Sequence, residues 1–179
     1  MDNNATLLVG ILTASDRKSA GASRDEGGPA IEQFLREVVT TPWQPIRRIV
    51  PDGIENVRDA LIDLADREGC GLIITTGGTG PAPRDLTPEA TAAACTRLMP
   101  GFGELMRTAS LKHVATAILS RQIAGIRGRT LIVNLPGRPS SIRVCLEAVF
   151  PAIPYCLDLI GTPGLDTDPA RCKAFRPMS

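Results

Sequence analysis

Gly77, Gly78 and Gly80 stand beside Thr76, Thr79, Arg84 and Asp85 within the run LIITTGGTGPAPRDLTPEAT, Leu72–Thr91. Glycine permits positive φ and lets a ligand approach backbone N–H groups closely. The hydroxyls of Thr76 and Thr79, the planar five-donor guanidinium of Arg84 and the carboxylate of Asp85 complete a set of groups suited to a phosphate. A purely structural turn accounts for one glycine, but not for three with two threonines and an Arg-Asp pair. The run lacks the Gly-Lys-Ser/Thr of a Walker A loop and the third glycine of GxGxxG.

A second stretch repeats this chemistry: Asn134, Leu135, Pro136, Gly137, Arg138, Pro139, Ser140 and Ser141. Either Ser140 or Ser141 is expected to cap the following helix, whose free N–H groups can bind an anion. Asp52, held between Pro51 and Gly53, is the third candidate. It reads at least as well as the N-cap of the next helix as it does as a catalytic carboxylate. Ser15, Asp16 and Arg17 follow the first apolar run.

The elements that must hold these groups follow from hydrophobic periodicity. Leu7–Thr13 and Leu72–Ile74 are continuous apolar runs, expected of parallel strands covered on both faces. Lys18–Gly28 is expected to be a loop running into a helix at Pro29, with Ile31, Phe34, Leu35 and Val38 as its buried stripe. Ile46–Val50 is a less buried strand nearer an edge, and Ile54, Val57, Leu61 and Leu64 mark the next helix. Thr87-Pro88-Glu89 opens another, with Thr87 as cap, Pro88 at the first helical position and Glu89 at the positive end of the dipole. That helix is expected to continue to Leu98. A further helix should turn Phe102, Leu105, Met106 and Ala109 inward and Glu104, Arg107 and Ser110 outward. Gln122–Ile126 and Thr130–Asn134 flank Arg127-Gly128-Arg129 as a hairpin. The expectation is an α/β, three-layer α/β/α fold with a mostly parallel sheet and one short antiparallel element. Residues 1–164 form one domain, and 165–179 a tail that is extended or poorly ordered.

Composition restricts the function classes. With 179 residues, 43% hydrophobic and 22% charged, the chain is an ordinary globular domain. No apolar run approaches the ~18 residues of a membrane span, and MDNNAT is no signal peptide, so a cytoplasmic location is expected. A net charge of +1 with six aromatic residues argues against a nucleic-acid partner. Five widely spaced cysteines without a CxxC suggest neither a disulfide framework nor a zinc site. His113, the single histidine, has no nucleophile or ligand motif around it and reads as a surface or packing residue.

In order and spacing, Gly10-Ile11-Leu12-Thr13 with Ser15-Asp16, Pro51-Asp52, TTGGTGPAPRDLTPEAT, PGFGELMR, LSRQIAGIRG and NLPGRPSSI before CLEAV resemble the molybdenum-cofactor biosynthesis family. That family includes bacterial MogA and MoaB and the G domain of gephyrin. The resemblance covers nearly the whole chain. It implies a three-layer α/β/α domain assembled as a trimer, which transfers AMP from ATP to the terminal phosphate of molybdopterin and releases pyrophosphate. It also implies magnesium as cofactor and Asp52 and Asp85 as the catalytic carboxylates and metal ligands. Substrate and nucleotide contacts are implied at Ser15, Asp16, Thr76, Gly77, Gly78, Thr79, Gly80 and Arg84. Glu104, Ser110, Ser120, Asn134, Pro136, Gly137, Arg138, Ser140 and Ser141 complete that set. A molybdate-inserting protein of the pathway is an implied partner. The chain runs from CLEAV directly to FPAIPYC without the insertion that some members carry there.

Two readings of other classes remain beside the enzyme: a MoaB-like pterin-binding protein without catalysis, and a scaffold module of the gephyrin kind. The apolar stretch Phe150–Ile160 is expected to exceed what one domain can cover and to be buried against a second copy.

Overall fold

The computed structural model describes residues 6–177. The chain runs through strand β1 (Leu7–Ala14), the single turn α1 (Asp16–Ser19), helix α2 (Gly27–Val38), strand β2 (Trp43–Val50) and helix α3 (Ile54–Ile62), which passes into a π-turn over Asp63–Arg67. Strand β3 (Leu72–Thr76), helix α4 (Thr87–Ala94), strand β4 (Arg97–Leu98) and helix α5 (Pro100–Leu111) follow. Strands β5 (Ala124–Arg127) and β6 (Thr130–Leu135) and helices α6 (Pro139–Val149) and α7 (Ile153–Leu159) complete the fold.

The six strands form one sheet in the order β2-β1-β3-β6-β5-β4. The first four are parallel, while β5 runs antiparallel to β6 and β4 antiparallel to β5. Alternation along each inner strand divides the core in two. Leu7, Val9 and Ile11 of β1, Leu72 and Ile74 of β3, and Leu131, Val133 and Leu135 of β6 face α2, α5, α6 and α7. Leu12, Ala14, Ile73 and Ile132 face α3 and α4. Both faces are therefore covered, and the continuous apolar runs are the inner strands of a three-layer α/β/α domain.

Several local expectations are corrected. Helix α2 begins at Gly27 rather than Pro29, because Asp25 Oδ1 accepts hydrogen bonds from the Gly27 and Gly28 N–H groups (3.1 and 3.3 Å). The preceding loop also contains the α1 turn. Helix α4 stops at Ala94, since Cys95 is extended. The Thr96 and Met99 N–H groups then donate to Ile126 and Ala124 carbonyls across the sheet (2.9 and 2.8 Å), which makes Arg97–Leu98 an edge strand. Helix α5 is rotated from the expected face: Phe102, Gly103, Met106 and Ser110 are buried, and Leu105 is 47% exposed. Gly103 allows this rotation, because a side chain there would strike the Gln122 carbonyl oxygen.

The stretch expected to need a partner is largely used within the chain. Phe150, Ile153, Pro154, Cys156 and Leu157 are buried, and Phe150 packs edge-on to Phe34 with ring centroids 5.3 Å apart. Within it, Leu159 is exposed. Beyond Gly161, Leu165 and Cys172 are buried, and Thr167 makes an isolated antiparallel bridge with Val39.

Candidate functional site

Strand register brings the chemistry together. Val50 lies opposite Ala14, Thr13 opposite Thr76, and Thr76 opposite Leu135, so the segments after β1, β2, β3 and β6 emerge at one edge of the sheet. The segment after β3 leads to α4 on one face and the segment after β6 to α6 on the other. Adjacent parallel strands whose connections diverge in this way leave a crevice beyond their carboxyl ends. The crevice holds a cavity of about 380 Å³. Gly77, Gly78, Thr79, Gly80 and Asp85 form one wall, and Pro136, Gly137, Arg138 and Ser141 form the second. Ser110, Val114, Thr116, Ala117, Leu119, Ser120 and Gln122 complete its lining.

The two loops are fastened to one another. The Gly77 N–H donates to the Leu135 carbonyl (3.3 Å), and Thr76 Oγ1 donates to the Pro136 carbonyl (2.8 Å). Gly77 and Gly78 hold φ of +94° and +62°. A Cβ on Gly77 would strike the Ala14 carbonyl, and one on Gly78 would strike Thr87 Oγ1. These two glycines are therefore required by the turn itself.

Asp52 does not cap α3. The cap position is Gly53, and the Asp52 carboxylate instead crosses to the neighbouring loop, where Oδ2 accepts from the Asp16 N–H (2.9 Å). Asp16 returns the contact, its Oδ1 accepting from the Asp52 N–H (3.1 Å). Arg84 donates to both Asp16 carboxylate oxygens (2.6 and 2.9 Å) and to the Asp52 carbonyl (3.2 Å). Those Arg84 hydrogen bonds hold the Asp16 carboxyl below the usual carboxylate range and raise the guanidinium in return. Arg84, expected to meet an anion, is thus occupied with Asp16 and does not line the cavity.

Asp85 lies in the cavity wall, its Oδ2 accepting from the Ala82 N–H (3.1 Å). Its loop is clamped by Arg121, a residue that motif reasoning did not single out although LSRQIAGIRG contains it. Arg121 Nε donates to the Gly80 carbonyl (3.0 Å). Its terminal nitrogens donate to the Asp85 carbonyl and the Glu89 carboxylate, and its own N–H donates to the Thr79 carbonyl (2.8 Å). Burial opposes the charge on Glu89 most strongly of any single cause, but the Arg121 hydrogen bonds, the Glu89 backbone N–H and the Arg121 charge together outweigh it and hold that carboxyl below its ordinary value.

Other expected residues lie elsewhere. Ser15 caps α1, its hydroxyl accepting from the Lys18 N–H (3.4 Å). Asn134 is buried and donates to Thr75 and Thr91 hydroxyls (3.1 and 2.8 Å), joining β6 to β3 and α4. Glu104 is exposed on α5, outside the cavity lining. Neither Ser140 nor Ser141 caps α6, whose cap position is Arg138 followed by Pro139. Ser140 sits with exposed His113 in a hollow that shares Ser110, Val114, Arg138 and Ser141 with the main cavity. Thr87 is no cap either, since Leu86 holds that position.

No three His, Cys, Asp or Glu side chains group as a metal site among the described residues. Magnesium needs less, because one or two carboxylates suffice when substrate phosphates supply the remaining oxygens. Asp52 and Asp85 fit that role. Asp52 Oδ1 lies 3.3 Å from where a Cβ on Gly78 would stand, and Asp85 Oδ2 lies 2.8 Å from the corresponding point on Gly80. The two carboxylates therefore flank one phosphate-sized loop.

Comparison with known proteins supplies a family context. A family profile described as "Probable molybdopterin binding domain" matches residues 10–155. The molybdopterin adenylyltransferase of Helicobacter pylori strain 26695 is 54% identical over 96% of this chain and 98% of its own length. The Escherichia coli K12 protein of the same name is 46% identical over 97% of this chain and 95% of its own. Among solved structures, the molybdopterin biosynthesis enzyme MoaB of Thermus thermophilus superposes with a TM-score of 0.80 at 46% identity, covering 89% of this chain and 99% of that one.

Proposed function

From the premise that the chain belongs to the molybdopterin-binding domain family, we infer that it catalyses adenylyl transfer to molybdopterin in molybdenum cofactor biosynthesis. Near-full-length identity to relatives named for that activity carries the reading. ATP donates the AMP. A terminal phosphate oxygen of molybdopterin attacks the α-phosphorus, the new P–O bond forms, and the bond to the β-phosphate oxygen breaks, so pyrophosphate leaves with its electron pair.

The attacking phosphate is already ionised near neutral pH, so the step needs no strong base. What opposes it is repulsion between anions. The N–H groups of Gly77–Gly80 and of the α6 start supply fixed positive dipoles for phosphate oxygens. Magnesium bound with the nucleotide would neutralise phosphate charge, and Asp52 and Asp85 are the side chains that would hold it. Ser110, Ser120, Arg138 and Ser141 face the substrates. Asp16, Arg84 and Arg121 act at one remove, by fixing the loops that carry Asp52 and Asp85.

The protein acts in the cytoplasm as a homotrimer. Its exposed apolar surface includes Leu98 and Leu105 beside a hollow lined by Met99, Phe102 and Val149, and such a surface favours a covering subunit. Sedimentation equilibrium should give three times the 19.0 kDa chain mass. The deciding assay incubates the protein with molybdopterin, ATP and magnesium. Adenylylated molybdopterin and pyrophosphate in equal amounts are the expected products, and pterin binding without either product would instead favour the non-catalytic reading.

A further inference from the structure

The main cavity adjoins a second hollow of about 300 Å³. Arg138, Ser141, Ser110 and Val114 line both spaces, while His113, Ser140 and Val144 line only the second of the two. The chemistry changes from one to the other. The cavity wall carries the Asp85 carboxylate, whereas no carboxylate lines the hollow among the described residues. The hollow instead offers a guanidinium, an imidazole and the hydroxyls of Ser140 and Ser141, all of which can donate hydrogen bonds.

Neighbouring arginines are engaged within the protein: Arg143, further along α6, is held by Glu37 and Glu147, and Arg107 of α5 donates to the Gln122 carbonyl. Arg138 is exposed and has no ion-pair or side-chain hydrogen-bond partner among the described residues. Its backbone is nevertheless placed, since its carbonyl accepts from the Ser141 N–H (3.0 Å), and the His113 N–H donates to the Ser110 carbonyl (3.0 Å). Displacement at phosphorus puts the attacking and leaving oxygens roughly in line, so two anionic groups must be held on opposite sides of the α-phosphate. The glycine loop, with Asp52 and Asp85 beside it, serves one of them. The hollow is the adjoining space free of carboxylates, and Arg138 stands where the two spaces meet.

We propose that this hollow is the subsite for the β- and γ-phosphates of ATP. Arg138 stabilises the charge that gathers on the departing pyrophosphate, and His113, Ser140 and Ser141 donate to its outer oxygens. The proposal rests on the functional reading above, because it takes ATP as the donor of AMP. The bond that breaks joins the α-phosphorus to the oxygen of the β-phosphate, and its electron pair leaves with pyrophosphate.

The single histidine of the chain supplies the probe, because its ring C–H resonances are recognised without further assignment. At constant pH, sodium pyrophosphate should move them saturably, ATP should move them in the same direction, and AMP, which lacks the two outer phosphates, should not. Arg138→Gln removes the guanidinium from an exposed position where it holds nothing else. It should weaken pyrophosphate binding about tenfold, equivalent to ~1.4 kcal/mol, and raise KM for ATP to match, with KM for molybdopterin unaltered. Arg138→Lys keeps the charge and should recover most of the loss. The inference is overturned if the His113 resonances ignore pyrophosphate or if AMP moves them equally far. It is overturned too if Arg138→Gln raises KM for molybdopterin instead, which would put the pterin phosphate in the hollow. A protein that binds pyrophosphate and ATP at His113 but forms no adenylylated molybdopterin would overturn the functional reading while the subsite for the outer phosphates stands.

Discussion

Replacing Asp52 by Asn separates a structural carboxylate from a catalytic one, and the structure sets the size of each effect. The side chain accepts a single hydrogen bond, from the Asp16 N–H at 2.9 Å, and it does not cap α3. The amide oxygen of Asn can accept the same bond. What is lost is the charge assistance, which roughly doubles such a bond and is worth about 1 kcal/mol. For a chain of this length that corresponds to a fall in thermal midpoint of about 2–4 °C. Catalysis should suffer far more. The Oδ1 atom faces the Gly78 turn, where substitution would replace the proposed anionic metal ligand with an amide, and loss of a group acting on transition-state charge typically costs 10²–10³ in kcat. The assay is kcat for adenylyl transfer at saturating molybdopterin, ATP and magnesium, with the midpoint measured on the same preparation. Asp52→Ala should match it in kcat but lose more stability, because the Asp16 N–H is then left without its acceptor. A kcat for Asp52→Asn within threefold of the parent would refute the catalytic assignment. So would a fall in midpoint beyond ~10 °C accompanied by a proportional loss of folded protein and normal turnover of what remains.

Arg121→Met preserves the stem but removes the donors to the Gly80 and Asp85 carbonyls; kcat should drop about 100-fold, the scale of an ångström-level misplacement. Amide exchange over 80–86 should quicken at the same time, and faster exchange with kcat unchanged would show that the clamp is irrelevant to turnover. Gly78→Ala should lower stability by at least ~1–2 kcal/mol, because φ is +62° and a left-handed conformation carries that penalty for other residues. Gly137→Ala should fold normally, since its Cβ would meet Gly77 Cα at an ordinary 3.5 Å, yet it should weaken nucleotide or molybdopterin binding in a calorimetric titration, and undiminished affinity for both would remove Gly137 from the site. Burial pushes the thiols of Cys70 and Cys95 up to about 11, above the ~8.5 of an unfolded chain. The unfolded state therefore loses these protons first, so their contribution is complete below about pH 8.5 and fades as pH rises toward 11, by roughly 2–3 kcal/mol per thiol at the end. Urea midpoints at pH 8 and 10.5 should show a smaller alkaline decline for Cys70→Ala than for the parent, and equal declines would count against this linkage.

Much of the architecture is legible in the residues because burial leaves a local trace. LLVGILT and TLIVN have no polar face, so they can only be strands covered on both sides, and Ile31, Phe34, Leu35 and Val38 recur at the spacing of one helix face. Glycines at 77 and 78 are equally readable, since positive φ is a property of the residue itself. Contacts across the sheet leave no such trace. That Asp52 reaches the Asp16 N–H rather than its own helix follows from the parallel register of β1 and β2, and an Asp after a strand is an equally good cap on composition alone. Arg84 and Arg121 are both arginines near acidic residues, but one holds Asp16 and the other clamps the loop of Asp85, because the chain after α5 returns beneath that loop. Helix α4 ends at Ala94, not Leu98, because β5 offers carbonyls that helical propensity cannot register. Gln122 shows the limit most clearly: nothing around it in the chain distinguishes it from a surface glutamine. It is buried because Cys145 and Arg107, brought in by α6 and α5, take its side-chain amide nitrogen and its backbone carbonyl.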